Sequence, residues 1–93
     1  MKILKFEAEW CSPCKSLATI MEDLTFPCPI EVINIDEDQE TPQKYGVRGV
    51  PTLILLDDNN SVLKTLVGSQ SKIDLINELD AKQNPSVESD GYH

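Results

Sequence analysis

Ninety-three residues suffice for one domain with one modest core, burying roughly 60–65% of the unfolded surface. A net charge of −8 argues against nucleic acid, whose phosphates reward clustered Lys and Arg, and against anionic membrane surfaces. It fits solubility and a solvated acidic face. No stretch is apolar enough to span a membrane, and Lys2, Lys5 and Glu7 interrupt any signal-peptide core, so the chain is expected to be cytoplasmic.

In chain order, Ile3 to Ala8 alternates as a strand. From Cys14, the residues Leu17, Ala18, Ile20, Met21 and Leu24 recur at helical spacing. Pro27 and Pro29 end that helix, and Ile30 to Ile35 form a second strand, parallel to the first across a βαβ crossover. The acidic segment Asp36 to Glu40 reads as a solvated loop. Thr41-Pro42 looks like a cap followed by an early helical proline, with Gly46 as a left-handed stop one turn later. Leu53 to Leu56 is the third strand, Asp57-Asp58-Asn59-Asn60 a hairpin turn, and Val62 to Val67 the fourth strand, antiparallel to the third. Gly68 ends it. Ser69 or Ser71 caps a last helix whose apolar face is Ile73, Leu75, Ile76 and Leu79, and Asn84-Pro85 closes the fold. The expected class is α/β: a four-stranded mixed sheet of order 2-1-3-4 flanked by helices. The domain occupies residues 1–83, and a tail over 84–93 with no apolar period is expected to be disordered.

The chemistry is concentrated in Trp10-Cys11-Ser12-Pro13-Cys14, where a strand hands over to a helix. Two thiols separated by two residues close a small disulfide ring, and the proline stiffens it. Ser12 suits the N-cap and Pro13 the first helical position. Cys11 then lies at the positive end of the helix, where a thiolate is favoured over a thiol. With only three cysteines in the chain, a stapling framework does not fit, and a lone Cys-x-x-Cys in the cytosol reads as redox chemistry or metal binding.

Four segments, Glu9 to Lys15, Asn34-Ile35-Asp36, Tyr45 to Thr52 and Val67-Gly68, resemble the thioredoxin family in order and spacing, over roughly residues 2–82. The resemblance implies a thioredoxin-like fold without the N-terminal strand–helix of full-length members. It implies that Cys11 is the exposed nucleophile and Cys14 the buried resolving thiol. Trp10 becomes the ring flanking the disulfide, and Pro51 the family's cis-proline, placed against the sulfurs. Val50 would offer backbone hydrogen bonds to an extended substrate, and Gly68 would complete the docking groove. There are departures. Ser12 stands where the family usually has Gly. Lys5 stands where typical thioredoxins bury an aspartate that helps deprotonate the resolving thiol, and Glu7 replaces an aromatic residue.

Each signal has a plainer reading. A zinc knuckle needs four ligands, and the chain offers only Cys11, Cys14, Cys28 and the terminal His93, so no metal site is expected. An iron–sulfur cluster within one chain fails the same count. Cys28, between two prolines, reads as a small buried hydrophobe or an incidental surface thiol. Lys5 either snorkels outward and pairs with Glu7 or a neighbour, or tunes the thiols together with Ser12 and Pro13.

The leading expectation is a thiol–disulfide oxidoreductase that reduces protein disulfides through Cys11 and Cys14, with no metal or organic cofactor. Its partners would be disulfide-containing proteins and a thioredoxin-reductase-like electron donor, with the chain itself monomeric. Ser-Pro between the cysteines, with no histidine before Cys14, leans towards the reducing end of the family, near about −270 mV. One alternative is a glutaredoxin-like, glutathione-dependent reductase. It is favoured by the short chain and disfavoured by the Trp-Cys-x-Pro-Cys core and the few basic residues. Another is a thioredoxin-like binding subunit that uses the same groove without turnover, which intact paired cysteines disfavour.

Overall fold

Alternation along the first strand decides what each face of the sheet packs against. In the computed structural model, which describes residues 1–85, β1 (Lys2–Glu7) sends Ile3 and Lys5 to one face and Leu4 and Phe6 to the other. Ile3 packs with Leu17 and Met21 of α1 (Ser12–Glu22) and with Leu75 and Leu79 of α3 (Lys72–Leu79). Leu4 and Phe6 pack with Ile33 of β3 (Ile30–Asn34) and with Ile54 and Leu56 of β4 (Thr52–Leu56), under Tyr45 and Val47. Burying each of the larger aliphatic side chains contributes about 1.5–3 kcal/mol. Every residue of β4 is buried, as expected of a central strand covered on both faces.

The sheet order is β3-β1-β4-β5, with β5 spanning Val62–Val67. β1 and β3 are parallel, and β1/β4 and β4/β5 are antiparallel. This is the expected 2-1-3-4 order. The hairpin turn also forms as read: Asp57 Oδ1 accepts from the backbone of Asn59 and Ser61 at 2.8 and 2.9 Å, and Asn60 takes a positive φ of 64°.

Four local details differ from the sequence reading. Leu24 does not continue the first helix. It belongs to β2 (Leu24–Thr25), which pairs antiparallel with β6 (Lys82–Gln83). Asn84 secures this clip: its amide donates to Glu22 O at 3.2 Å, its backbone N–H to Asp23 O at 3.1 Å, and its side-chain oxygen accepts from the Thr25 hydroxyl. Packed chain therefore extends past residue 83. The disorder expected of the tail falls on residues 86–93, outside the described residues.

The N-cap of the short helix α2 (Glu40–Lys44) is Gln39, not Thr41, and its side chain makes no capping bond; Asp38, one residue earlier, supplies the acceptors instead. Asp38 Oδ1 accepts from the N–H groups of Glu40 and Thr41 at 3.1 and 3.0 Å, and Oδ2 accepts from the Thr41 hydroxyl at 2.6 Å. Those bonds, the Thr41 hydroxyl foremost, hold the Asp38 carboxyl below its ordinary pKa. Gly46 ends the turn at φ +70°, as its left-handed stop requires. In α3, Ser71 and Asp74 form a reciprocal capping box. Ile73 is 66% exposed rather than on the core face, because it lies two residues, about 200° of helix, from Leu75. The fourth difference is the cap of α1, which is part of the site.

Candidate active site

Cys11 and Cys14 are joined by a disulfide with a Cα–Cα separation of 5.2 Å. The N-cap of α1 is Cys11, not Ser12. Its backbone is extended (φ −93°, ψ 104°), and its Sγ accepts the N–H of Cys14 at 3.1 Å. Ser12 and Pro13 are the first two helical residues, and both are exposed. The sulfur therefore takes the position that an N-cap oxygen usually fills, and it meets one of the unpaired donors at the positive end of the helix.

The resemblance implied an exposed Cys11. In the disulfide form Cys11 is 4% exposed and Cys14 3%. Capping and the ring closure turn the Cys11 side chain inward, where the pair packs with Ala8, Ile35 and Val50. What stands open beside the disulfide is Trp10, at 67% exposure. Its indole N–H donates to Asp36 Oδ2 at 2.9 Å, and the backbone N–H of Asp36 donates in turn to Asn34 Oδ1 at 2.8 Å. By sequence alone Asp36 belongs to a solvated acidic loop. Its role in holding Trp10 depends on a contact across 26 residues, and the only hint was its place in the Asn34-Ile35-Asp36 segment.

The Val50–Pro51 peptide is cis, as the resemblance implied. Pro51 is buried and its carbonyl accepts the N–H of Gly68 at 2.8 Å, with Gly68 at φ +84°. Val50 packs against the disulfide cluster. The structure thus links Gly68 to Pro51 by a hydrogen bond and Pro51 to Val50 by the cis peptide, with Val50 against the sulfurs. Cys28 is elsewhere: it packs against the Ile3 and Leu17 core, and burial raises its thiol pKa above the ordinary value.

Lys5 is buried, at 8% exposure, with Nζ 3.1 Å from Glu7 Oε1. It pairs with the acid as the plainer reading had it, but its ammonium stays inside rather than reaching out to water. Glu7, Glu9, Cys14, Lys15, Ala8 and Ala18 line a cavity of about 450 Å³. Among the described residues no cluster of three or more His, Cys, Asp or Glu is placed to hold a metal ion, and no helix is long and apolar enough to cross a membrane.

A disulfide at a helix N-terminus, packed on the Val50 that precedes a buried cis-proline, on a mixed four-stranded sheet, defines a thiol–disulfide oxidoreductase. The thioredoxin family model matches residues 1–81. The thioredoxin of Pseudomonas aeruginosa is 46% identical over 83 residues, 85% of this chain and 76% of that protein. The thioredoxin of Rhodospirillum rubrum is 42% identical over 80 residues, 82% of this chain and 76% of the relative. Among solved structures, a mutant thioredoxin from Halobacterium salinarum superposes with a TM-score of 0.76 at 33% identity, covering 85% of this chain and 71% of that one. Thioredoxin 1 from Thermosipho africanus gives 0.68 at 34% identity, covering 83% and 88%. The chain belongs to the thioredoxin family, and it is a protein-disulfide reductase working through Cys11 and Cys14.

Proposed function

We propose that Cys11 is the attacking thiol and Cys14 the resolving one. The observation that carries the assignment is the cap: Cys11 Sγ sits at the helix N-terminus and accepts the Cys14 N–H at 3.1 Å, a donor that stabilises a thiolate on Cys11. Cys11 thiolate attacks a substrate disulfide, forming a mixed disulfide and releasing the first substrate thiolate. Cys14 then attacks Cys11 Sγ, the second substrate thiolate leaves, and the Cys11–Cys14 bond remains. Two electrons have passed to the substrate. The test is trapping. Cys14→Ser should accumulate the mixed disulfide with an oxidised protein substrate, and Cys11→Ser should form none. A covalent adduct on Cys11→Ser, with none on Cys14→Ser, would reverse the assignment.

Substrate docks along Trp10, Val50, Pro51 and Gly68, with Val50 offering its backbone to an extended segment. The Gly68–Pro51 hydrogen bond and the packing of Val50 on the disulfide support this rim. Ser12 and Pro13, between the thiols, bias the pair towards the reducing direction. The domain runs from residue 1 through the Asn84 clip and acts as a cytoplasmic monomer. Electrons return from an NADPH-dependent, thioredoxin-reductase-like flavoprotein. Reduction of the oxidised protein by NADPH with such a reductase, and not by glutathione alone, is the expected result.

A further inference from the structure

Resolution of the mixed disulfide releases a proton from a side chain that is itself almost fully buried. Cys14 is 3% exposed, and its thiol must lose a proton before its sulfur can attack Cys11. The acceptor has to lie in the space that Cys14 itself faces. The charged groups around that space are Glu7 and Glu9, from β1 and the turn after it, Lys15 from α1, and Lys5 behind Glu7.

The two carboxylates differ in how they are held. Glu9 is exposed and lies beyond the end of the strand. Glu7 is half-buried and is the last residue of β1. Its carbonyl accepts the N–H of Ile35 at 3.0 Å, and its carboxylate is gripped by the buried Lys5 ammonium at 3.1 Å. Building on the assignment of Cys14 as resolving thiol, we infer that Glu7, held in the cavity by Lys5, accepts the Cys14 proton during resolution. Glu7 and Cys14 line the same cavity of about 450 Å³, which has room for a water between polar groups, and acid–base transfer operates through one water. The step balances as follows. The Cys14 S–H bond breaks and its proton passes through that water to the Glu7 carboxylate. The Cys14 thiolate forms the Cys11–Cys14 bond as the bond from Cys11 to the substrate sulfur breaks. The leaving thiolate carries off the electron pair and is then protonated, and Glu7 returns its proton to solvent through the open cavity. Lys5 is a positioning residue. Its ammonium, 3.1 Å from Glu7 Oε1, orients the carboxylate in the cavity.

Two effects of Glu7 have opposite signs, which makes the inference testable. As a negative charge near Cys14, Glu7 opposes the thiolate, so Glu7→Gln should move thiolate formation to lower pH. If charge were its only role, resolution in Glu7→Gln would be unchanged or faster. If Glu7 accepts the proton, resolution slows despite the easier ionisation. The assay is stopped-flow reaction of the reduced protein with an aromatic disulfide whose released thiolate absorbs. A first phase reports attack by Cys11, and a second reports displacement by Cys14. Glu7→Gln should slow the second phase about tenfold or more at neutral pH, in keeping with the size of acid–base contributions, and leave the first within about twofold. Glu7→Asp should recover part of the loss. Glu9→Gln should leave both phases unchanged. Because Glu7→Gln strands a buried ammonium, the double variant Lys5→Met with Glu7→Gln is measured beside it, and it should show the same slow second phase. Second phases in both Glu7 variants within about twofold of wild type from pH 6 to 9 would overturn the inference. Cys14→Ser separates this from a failure of the underlying assignment: if a second phase persists there, Cys14 is not the resolving thiol.

Discussion

Replacing Cys11 by serine and by alanine separates its two roles, attack and helix capping. In Cys11→Ser the hydroxyl oxygen falls close to the place of Sγ and still accepts the Cys14 N–H, now as one of the preferred N-cap residues. In Cys11→Ala that donor, which the cysteine sulfur meets at 3.1 Å, loses its partner. Removing a side-chain N-cap costs about 0.5–2 kcal/mol. Because Cys11 is 4% exposed, water does not readily replace the lost acceptor, and an unsatisfied buried donor costs about 1–3 kcal/mol. The two ranges overlap at about 1–2 kcal/mol, the expected margin of Cys11→Ser over Cys11→Ala. For a chain of this size that is a melting-temperature gap of about 4 °C or more. Urea unfolding of both variants under reducing conditions, followed by far-UV circular dichroism with equal m-values, measures it directly. Neither variant should turn over a protein disulfide. Equal midpoints for the two variants, or turnover by Cys11→Ser, would refute the reasoning.

In the reduced protein at neutral pH, iodoacetamide should label Cys11 before Cys28, whose thiol burial holds protonated to higher pH, and Cys28→Ser should reduce protein disulfides at the wild-type rate; peptide mapping and an insulin-reduction assay check the two. Asp36→Ala should free the Trp10 indole, raising KM for a protein disulfide several-fold while leaving reaction with a small aromatic disulfide unchanged. Asp38→Ala should lower the melting temperature at pH 7. Since the folded carboxyl sits below its ordinary pKa, that stabilisation is present above the unfolded value of about 3.9 and is lost as pH falls through the folded one. Melting curves of wild type and variant should therefore converge in acid.

The elements with a clear period were legible in the sequence. Ile3 to Phe6, Leu53 to Leu56 and Leu17 to Met21 carry the hydrophobic repeats that build both core layers, and the strand order followed from one crossover and one hairpin. Contacts that depend on chain separation were not legible. The two-residue strands at Leu24 and Lys82 are too short to have a period, and their partners, Leu24 with Gln83 and Thr25 with Lys82, lie far apart in the chain. The Trp10–Asp36 bond is of the same kind. The capping errors have a different origin. Ser12 and Thr41 have the side chains that usually cap, but Cys11 and Asp38 lie where an acceptor can reach the open N–H groups. At the site, the two cysteines, Pro51 and Gly68 were legible from the motif, whereas the inward turn of Cys11 and the buried Lys5–Glu7 pair depend on packing that no local pattern encodes.

The Asn84 clip also fixes where the described chain leaves the domain. It grips Glu22 and Asp23, at the far end of the 11-residue helix whose first turn carries the disulfide, so the exit point lies about 16 Å along that helix from the sulfurs. A tether or fusion partner joined after Pro85 departs from the side remote from the reactive face. Anchored there to a bead or an electrode, the protein would present Trp10 and the sulfurs outward, a geometry suited to a recyclable immobilised reductant.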